Sequence, residues 1–383
     1  MIQETVRIAR VEPLSVQVTA RTTWVFVVIT DRSGSQGLGE ATLEGHSDEV
    51  LVALRHHAKS LQGAAFRHGS EVARWTVARL DDDRGLVEAA ALSAIEQALQ
   101  DLVARARGER LAEALGCVLR DPVPMYANIN RGTTTRQSGQ FAERAVRAAR
   151  QGFAGVKLAP FDGLTPAACS TPEGQRLIDA GLERIAATRD ALDAGGFSDR
   201  SLMVDCHWRF SRDAARAMVD ELARLRVDWY ECPLPETSEH FAELRALRAL
   251  ANERGMRLAG AELMIGLPGF LPLLRAGLYD VVMPDVKYAG GLEETLRIAA
   301  ACVRHGTLCS PHNPSGPICH AHSLHVASVM PNMPLLEVQF EETPRFAEIV
   351  DASLPSLEGG ASALPKGLGL GVRLADLASG PTF

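Results

Sequence analysis

Three acids in this chain each close a short apolar run, and the runs recur about 25 to 31 residues apart, the length of one strand-plus-helix unit. Asp205 ends SLMVD, Glu231 ends VDWYE and Glu262 ends RLAGAE. The spacing therefore predicts successive βα units of a barrel, whose strands all deliver their last residues to one face. Three carboxylates meeting there form an oxygen-only donor set, which suits Mg²⁺ rather than zinc or copper. One acid at a strand end is more often a helix cap than a ligand; three at successive ends favour the metal site.

The rest of the chain supports that frame. From DPVPMYANI (121–129) onward, short apolar runs alternate with helical stretches: MYANI, GVKLA, LMVD, DWYE, RLAGAE, DVVMPD, LCSPH and LLEVQ. Eight strand candidates are what a (β/α)₈-type, TIM-like barrel requires, and they place it over residues 121–340. Residues 1–120 read differently, as strands (VRIARVEPLSVQVTA, WVFVVIT, GLGEA) followed by helices, the first with Ser47 as its N-cap. This predicts an α+β capping domain, onto which the Gly- and Pro-rich tail 341–383 is expected to pack. The segment 159–175 is long for a barrel connection, which marks it as a substrate-shaping loop.

Composition excludes several alternatives. A net charge of −7, with no basic stripe, argues against nucleic acid or an anionic membrane as partner. No apolar run is long enough to span a bilayer, and MIQETVRIARVE carries charges where a secretory signal needs an apolar stretch. Seven cysteines without a CxxC pair are expected to be reduced thiols in a cytoplasmic protein.

Strand residues two apart share a face, which would put Asp205 and His207 together and turn Cys206 outward. The second strand would contribute Lys157, the sixth Asp285, the seventh His312 and the eighth Glu337. A carboxylate metal site with a lysine and two histidines suits abstraction of a proton next to a carboxylate, where the enediolate needs positive charge and a base of matched pKa. Asp285 is then the partner that orients His312, and Lys287 is expected on the rim. His56, His57, His320, His322 and His325 read as helix-surface or packing residues. Asp81 to Asp83 read as a solvated loop.

These residues resemble the enolase superfamily, in its mandelate racemase-like branch. The motifs GLGEATLEG, VDCHWRF, WYECPLPE, AGAELMIG, MPDVKYAGG and SPHNPSGPI fall in the family's order along nearly the whole chain. The D-x-H at 205–207 and PHNPSGPI look most like acid-sugar dehydratases of the galactonate dehydratase type. The second strand reads Lys157-Leu158-Ala159, without the second lysine of mandelate racemase. The resemblance implies one Mg²⁺ on Asp205, Glu231 and Glu262, His207 as base, His312 as acid and Lys157 on the substrate carboxylate. Glu337, Asn313 and His46 complete the expected substrate-binding set. It also implies a homo-oligomer. A racemase or epimerase using His207 and His312 as an opposed pair is the alternative within catalysis, and a silent binding barrel the alternative outside it.

Overall fold

The computed structural model describes residues 5–80 and 84–375. The chain opens with an antiparallel meander, β1 (Val6–Gln17), β2 (Thr23–Asp31) and β3 (Gln36–Glu40). Next come α1 (Ser47–Leu61), β4 (Ala65–Phe66), α2 (Gly69–Val77), α3 (Gly85–Ala106) and the short α4 (Leu111–Leu115). The first helix starts one residue earlier than expected: its N-cap is His46, which makes no side-chain cap bond, and Ser47 is already helical. Asp81 to Asp83 lie outside the described residues, as does the end of the tail.

The six residues Trp24 to Ile29 are all buried, because β2 is covered on both faces. Val25, Val27 and Ile29 point into the core formed with α1 and α3, while Trp24, Phe26 and Val28 join the core of the barrel. A half-exposed strand would show polar alternation; this one reads as continuous because two domains share it. Gly37 and Gly39 let α3 lie directly on β3, since a Cβ on either would fall about 2 Å from the carbonyl oxygens of Ala98 and Ala94.

The second part supplies eight strands. These are β5 (Val123–Asn128), β6 (Gly155–Leu158), β7 (Ser201–Asp205) and β8 (Trp229–Glu231), then β9 (Arg257–Gly260), β10 (Val281–Val282), β11 (Leu308–Cys309) and β12 (Leu336–Gln339). Between them lie α5 (Ser138–Arg150), α6 (Pro172–Ala194), α7 (Arg212–Arg224) and α8 (Phe241–Glu253), then α9 (Gly266–Ala276), α10 (Leu292–Arg304) and α11 (Pro317–Val329). Each strand from β5 to β10 pairs in parallel with the next, and β12 returns to pair in parallel with β5. The seam between β11 and β12 carries no ladder among the described residues. It is bridged instead by Cys309 N to Asn332 O at 3.2 Å, Asn332 Nδ2 to Thr307 O at 2.9 Å and Ser310 Oγ to Leu335 O at 2.5 Å.

After β12 the chain forms α12 (Arg345–Glu348) and a hairpin, β13 (Leu357–Glu358) with β14 (Ala361–Ser362), whose second strand adds to β5. It then reaches the first domain, where Leu111 N donates to Gly369 O and Leu370 N to Asp101 Oδ1, each at 2.8 Å. No helix among the described residues is long and apolar enough to cross a membrane.

Candidate metal and acid–base site

Asp205 and Glu231 are the last residues of neighbouring strands and lie in register with each other. Two residues earlier on the same strands, Met203 and Trp229 point the same way and join Tyr126, Ala259, Val281 and Met283 in a buried layer under the site. Glu262 follows β9 by two residues, the second of a turn in which Ala261 takes φ +74°. Glu236 braces that turn: its Oε1 accepts from Ala261 N at 2.5 Å and from Tyr279 Oη at 3.0 Å. One ligand oxygen from each of Asp205, Glu231 and Glu262 lies within 4.8 Å of the others.

The electrostatics show what such a cluster lacks. Burial pushes the Glu231 carboxyl up to about 8, with Asp205 and Glu262 adding repulsion and Lys157 opposing it. Glu262 is raised too, by burial first. Its Oε2 is buried and accepts no hydrogen bond, an orphaned carboxylate oxygen at the edge of the cluster. An oxygen-only triad with a free, buried lone pair fits a hard divalent cation.

Lys157, buried at 1 % exposure, sits between Glu231 Oε1 at 2.6 Å and Glu337 Oε1 at 3.0 Å. Burial works against its charge, but the two glutamates hold its pKa well above the ordinary lysine value. Glu231 Oε2 accepts from Trp229 Nε1 at 2.7 Å, and Glu337 Oε1 also accepts from Asn128 Nδ2 at 2.7 Å. Asn128 and Trp229 were not singled out from sequence. Both were legible, since Trp229 precedes Glu231 by the pleat period of two and Asn128 is itself the last residue of its strand.

His207 reaches the cluster by a route other than the one expected. β7 stops at Asp205, and His207 and Trp208 adopt left-handed φ values of +46° and +55°. The turn closes on Asp205, whose Oδ1 accepts from His207 N at 3.0 Å while Oδ2 meets His207 Nε2 at 2.7 Å. The Asp205 charge raises His207 to about 9 against the effect of burial. In return, although burial disfavours its charge, Asp205 falls to about 2 beside the imidazole. Cys206 is buried among the residues between barrel and helices, away from the cluster.

His312 meets another member of the triad: its Nδ1 lies 2.9 Å from Asp285 Oδ2, and its Nε2 lies 3.5 Å from Glu262 Oε2. Lys287 corrects the expectation of a rim residue. It is 1 % exposed, its Nζ bonds Asp285 Oδ2 at 2.7 Å and Ser315 Oγ, and its backbone N bonds Asp285 Oδ1 at 2.8 Å. A buried lysine needs such partners, and the sequence alone does not disclose Ser315.

The other named positions lie elsewhere. Asn313 is buried but turned from the cluster: its N donates to Glu337 Oε2 at 3.0 Å, and its Nδ2 to Glu337 O at 2.8 Å and His320 Nδ1 at 3.0 Å. The half-exposed side chain of His46 faces Glu49 at 3.5 Å. The segment after β6 is pinned at Asp162, which meets Arg136 Nε at 2.8 Å, Arg184 Nη1 at 3.2 Å and Arg209 Nη1 at 3.9 Å. His320, His322 and His325 are all buried packing residues, and His57 is buried against Glu88.

The fold and this site define a two-domain barrel enzyme family. Residues 1–116 match the family described as mandelate racemase / muconate lactonizing enzyme, N-terminal domain, and residues 140–378 match the enolase C-terminal domain-like family. The chain belongs to the enolase superfamily, in its mandelate racemase-like branch. Relatives include a D-galactonate dehydratase of Verminephrobacter eiseniae, 31 % identical over 321 residues that cover 82 % of this chain and 78 % of that protein. A D-gluconate dehydratase of Thermoproteus tenax is 29 % identical over 350 residues, 91 % of this chain and 67 % of that one. Among solved structures, a mandelate racemase/muconate lactonizing enzyme from Sulfitobacter sp. superposes with a TM-score of 0.85 at 21 % identity, over 98 % of this chain and 94 % of the other. One from Jannaschia sp. CCS1 gives 0.83 at 23 %, over 97 % and 96 %. At these identities the structures speak for the fold.

Proposed function

We propose that this protein is a Mg²⁺-dependent acid-sugar dehydratase that converts an aldonate or aldarate to a 2-keto-3-deoxy acid. The observation that carries the reading is that two histidines meet different members of one carboxylate triad, His207 against Asp205 and His312 near Glu262. The dehydratase relatives support the same class. Asp205, Glu231 and Glu262 would hold the cation, which supplies positive charge against the substrate carboxylate and its enediolate.

The chain's own residues then divide the proton work. His207, in its neutral form, takes the proton from C2, and the electron pair of that C–H bond passes into the enediolate. Lys157, kept charged by Glu231 and Glu337, adds positive charge beside the carboxylate. His312 gives a proton from Nε2 to the C3 hydroxyl as the C3–O bond breaks, so that water leaves and the enol relaxes to the 2-keto acid. Asp285 holds the opposite ring nitrogen.

The test is a screen of aldonates and aldarates with Mg²⁺, read by 2-keto acid formation and by deuterium uptake at C2 in ²H₂O. We expect a keto acid from at least one sugar, and its loss in His207→Asn and His312→Asn. Exchange at C2 without keto acid, from any acid in the panel, would instead establish the racemase or epimerase reaction.

A further inference from the structure

The proposed reaction leaves the buried charge of Lys287 unused. The partners of the Lys287 ammonium are Asp285 and Ser315, and it forms no ion pair with Asp205, Glu231 or Glu262. Its contacts are specific. The backbone N and Nζ of this one residue hold Oδ1 and Oδ2 of Asp285, at 2.8 and 2.7 Å. The same Nζ bonds Ser315 Oγ, three residues beyond His312 in the loop after β11. Asp285 Oδ2 is also the atom that meets His312 Nδ1, at 2.9 Å. One ammonium thus ties the loop after the sixth barrel strand to the loop after the seventh, on the atom that orients the imidazole.

A carboxylate held at one oxygen can rotate about its Cβ–Cγ bond; held at both it presents a fixed direction to its third partner. Asp285 and Lys287 are 0 % and 1 % exposed, so bulk solvent does not compete for these bonds. The loop is fixed from behind as well. Gln97 Nε2 of α3 donates to Val286 O at 3.4 Å, and Ser93 Oγ accepts from Gly290 N at 3.0 Å. Glu40 of β3 places a further buried carboxylate near enough to act on Lys287 and to be acted on by it.

We propose that Lys287 is a positioning residue for the acid half of the reaction: it ties Asp285 to Ser315 so that His312 is held with Nδ1 on Asp285 and Nε2 turned toward the carboxylate cluster. The inference rests on the reading of His312 as the group that protonates the departing hydroxyl. His207 has no contact with this arrangement, so Lys287 serves elimination and leaves proton abstraction at C2 alone.

The test compares Lys287→Met, Lys287→Gln and Ser315→Ala with wild type, each loaded with Mg²⁺, on the acid sugar that wild type dehydrates in ²H₂O. Both keto acid formation and C2 exchange are measured. Lys287→Met is expected to keep C2 exchange within about twofold and to lose elimination by at least about tenfold, part of the roughly 10² to 10⁴ that a positioned acid supplies. Lys287→Gln, which retains a donor for Asp285, should fall between, and Ser315→Ala should show the same split more weakly. A general loss of structure would lower both rates together. Should Lys287→Met fail to fold, the split in the other two variants decides. Equal loss of the two rates, or an unchanged ratio, overturns the proposal. A second reading needs no substrate: ¹⁵N NMR of the histidine rings, with His312→Asn giving the assignment, should show His312 Nδ1 protonated and bonded in wild type and altered in Lys287→Met. Unchanged His312 signals also overturn it. If wild type acts on no acid sugar, the proposed function fails while the ring signals still decide the role of Lys287.

Discussion

Glu40, the last residue of β3, accepts a hydrogen bond from Gly316 N at 2.8 Å and so caps α11, a helix of the other domain. Its second oxygen takes Cys319 N at 2.8 Å, and Thr42 Oγ1 donates to the first at the same distance. Burial raises the Glu40 carboxyl, and Lys287, Cys319 N, Thr42 and Gly316 N pull it back. Glu96 does the same for α10, accepting from Leu292 N at 2.8 Å beside Gly291, which takes φ +90° and where a Cβ would fall 2.2 Å from Glu96 Oε2. The domains are joined by helix caps supplied in trans, where buried carboxyl oxygens accept from N–H groups that the first turn leaves without intrahelical partners.

Removing the Glu40 cap should therefore uncouple the domains. Glu40→Ala leaves two buried N–H groups and the Thr42 hydroxyl without an acceptor, at about 1–3 kcal/mol for each buried group left unpaired. Because the variant also relieves the desolvation of the buried carboxyl, the net loss should fall below that sum, at roughly 2–5 kcal/mol in guanidinium denaturation, and be smaller for Glu40→Gln, which keeps one acceptor. Equal midpoints for Glu40→Ala and wild type would show that the cap contributes nothing.

Lys157 offers a second test. Replacing it with Met leaves Glu231 and Glu337 buried without their common cation, and breaking a buried pair from one side costs about 3–5 kcal/mol. The expected result is a destabilised protein in which C2 exchange and keto acid formation are lost together. That joint loss contrasts with the split expected at Lys287. Retention of exchange in Lys157→Met would remove this lysine from the first step.

How much of this was legible in the sequence follows from the range of each interaction. Asp205 and Glu231 end their strands, so apolar run and acid together locate them. The eight runs were visible too, though β10 and β11 form ladders of only two residues each, because burial extends further than pairing. His207 was placed beside Asp205 by strand alternation and arrives there by a left-handed turn, which no local pattern announced. Lys287 was assigned to the rim because a lysine in a loop is usually solvated; its burial depends on Ser315, whose proximity only the barrel creates. Likewise Asn313, a neighbour of His312 in sequence, turns its amide to Glu337 and His320 because the heart of α11 is polar and needs partners.

The metal site makes a prediction independent of any substrate. Mg²⁺ binding to the folded state alone should raise stability by about 1.4 kcal/mol for each tenfold excess over its dissociation constant. Glu262→Gln, which neutralises the ligand whose Oε2 has no hydrogen bond, should abolish that rise and the Mg²⁺ heat seen by calorimetry. Its stability without metal should be no lower than wild type, since one of three repelling carboxylates is gone. A Glu262→Gln protein stabilised by Mg²⁺ as wild type is would place the cation elsewhere.

His322 gives the chain an acid-sensitive core. Its Nε2 bonds Leu38 O at 2.8 Å while Nδ1 is buried without a partner, and burial brings its pKa down to about 3. The unfolded chain titrates this ring near the ordinary value of about 6.5. Above that pH the ring is neutral in both states and its contribution is fully present. As pH falls below it, the unfolded state takes up a proton that the folded state refuses, so stability drops by about 1.4 kcal/mol per pH unit until the folded pKa is reached. His320 and His325, both brought down to about 4 by burial, act in the same direction. Comparing wild type with His322→Gln isolates one ring, because the other groups cancel in the difference. The glutamine can donate to Leu38 O but does not titrate, so the stability advantage of wild type at pH 7.5 should shrink by about 1.4 kcal/mol per unit between pH 6 and pH 4. Denaturation midpoints at four pH values measure it, and a difference independent of pH would mean that His322 is protonated inside the fold.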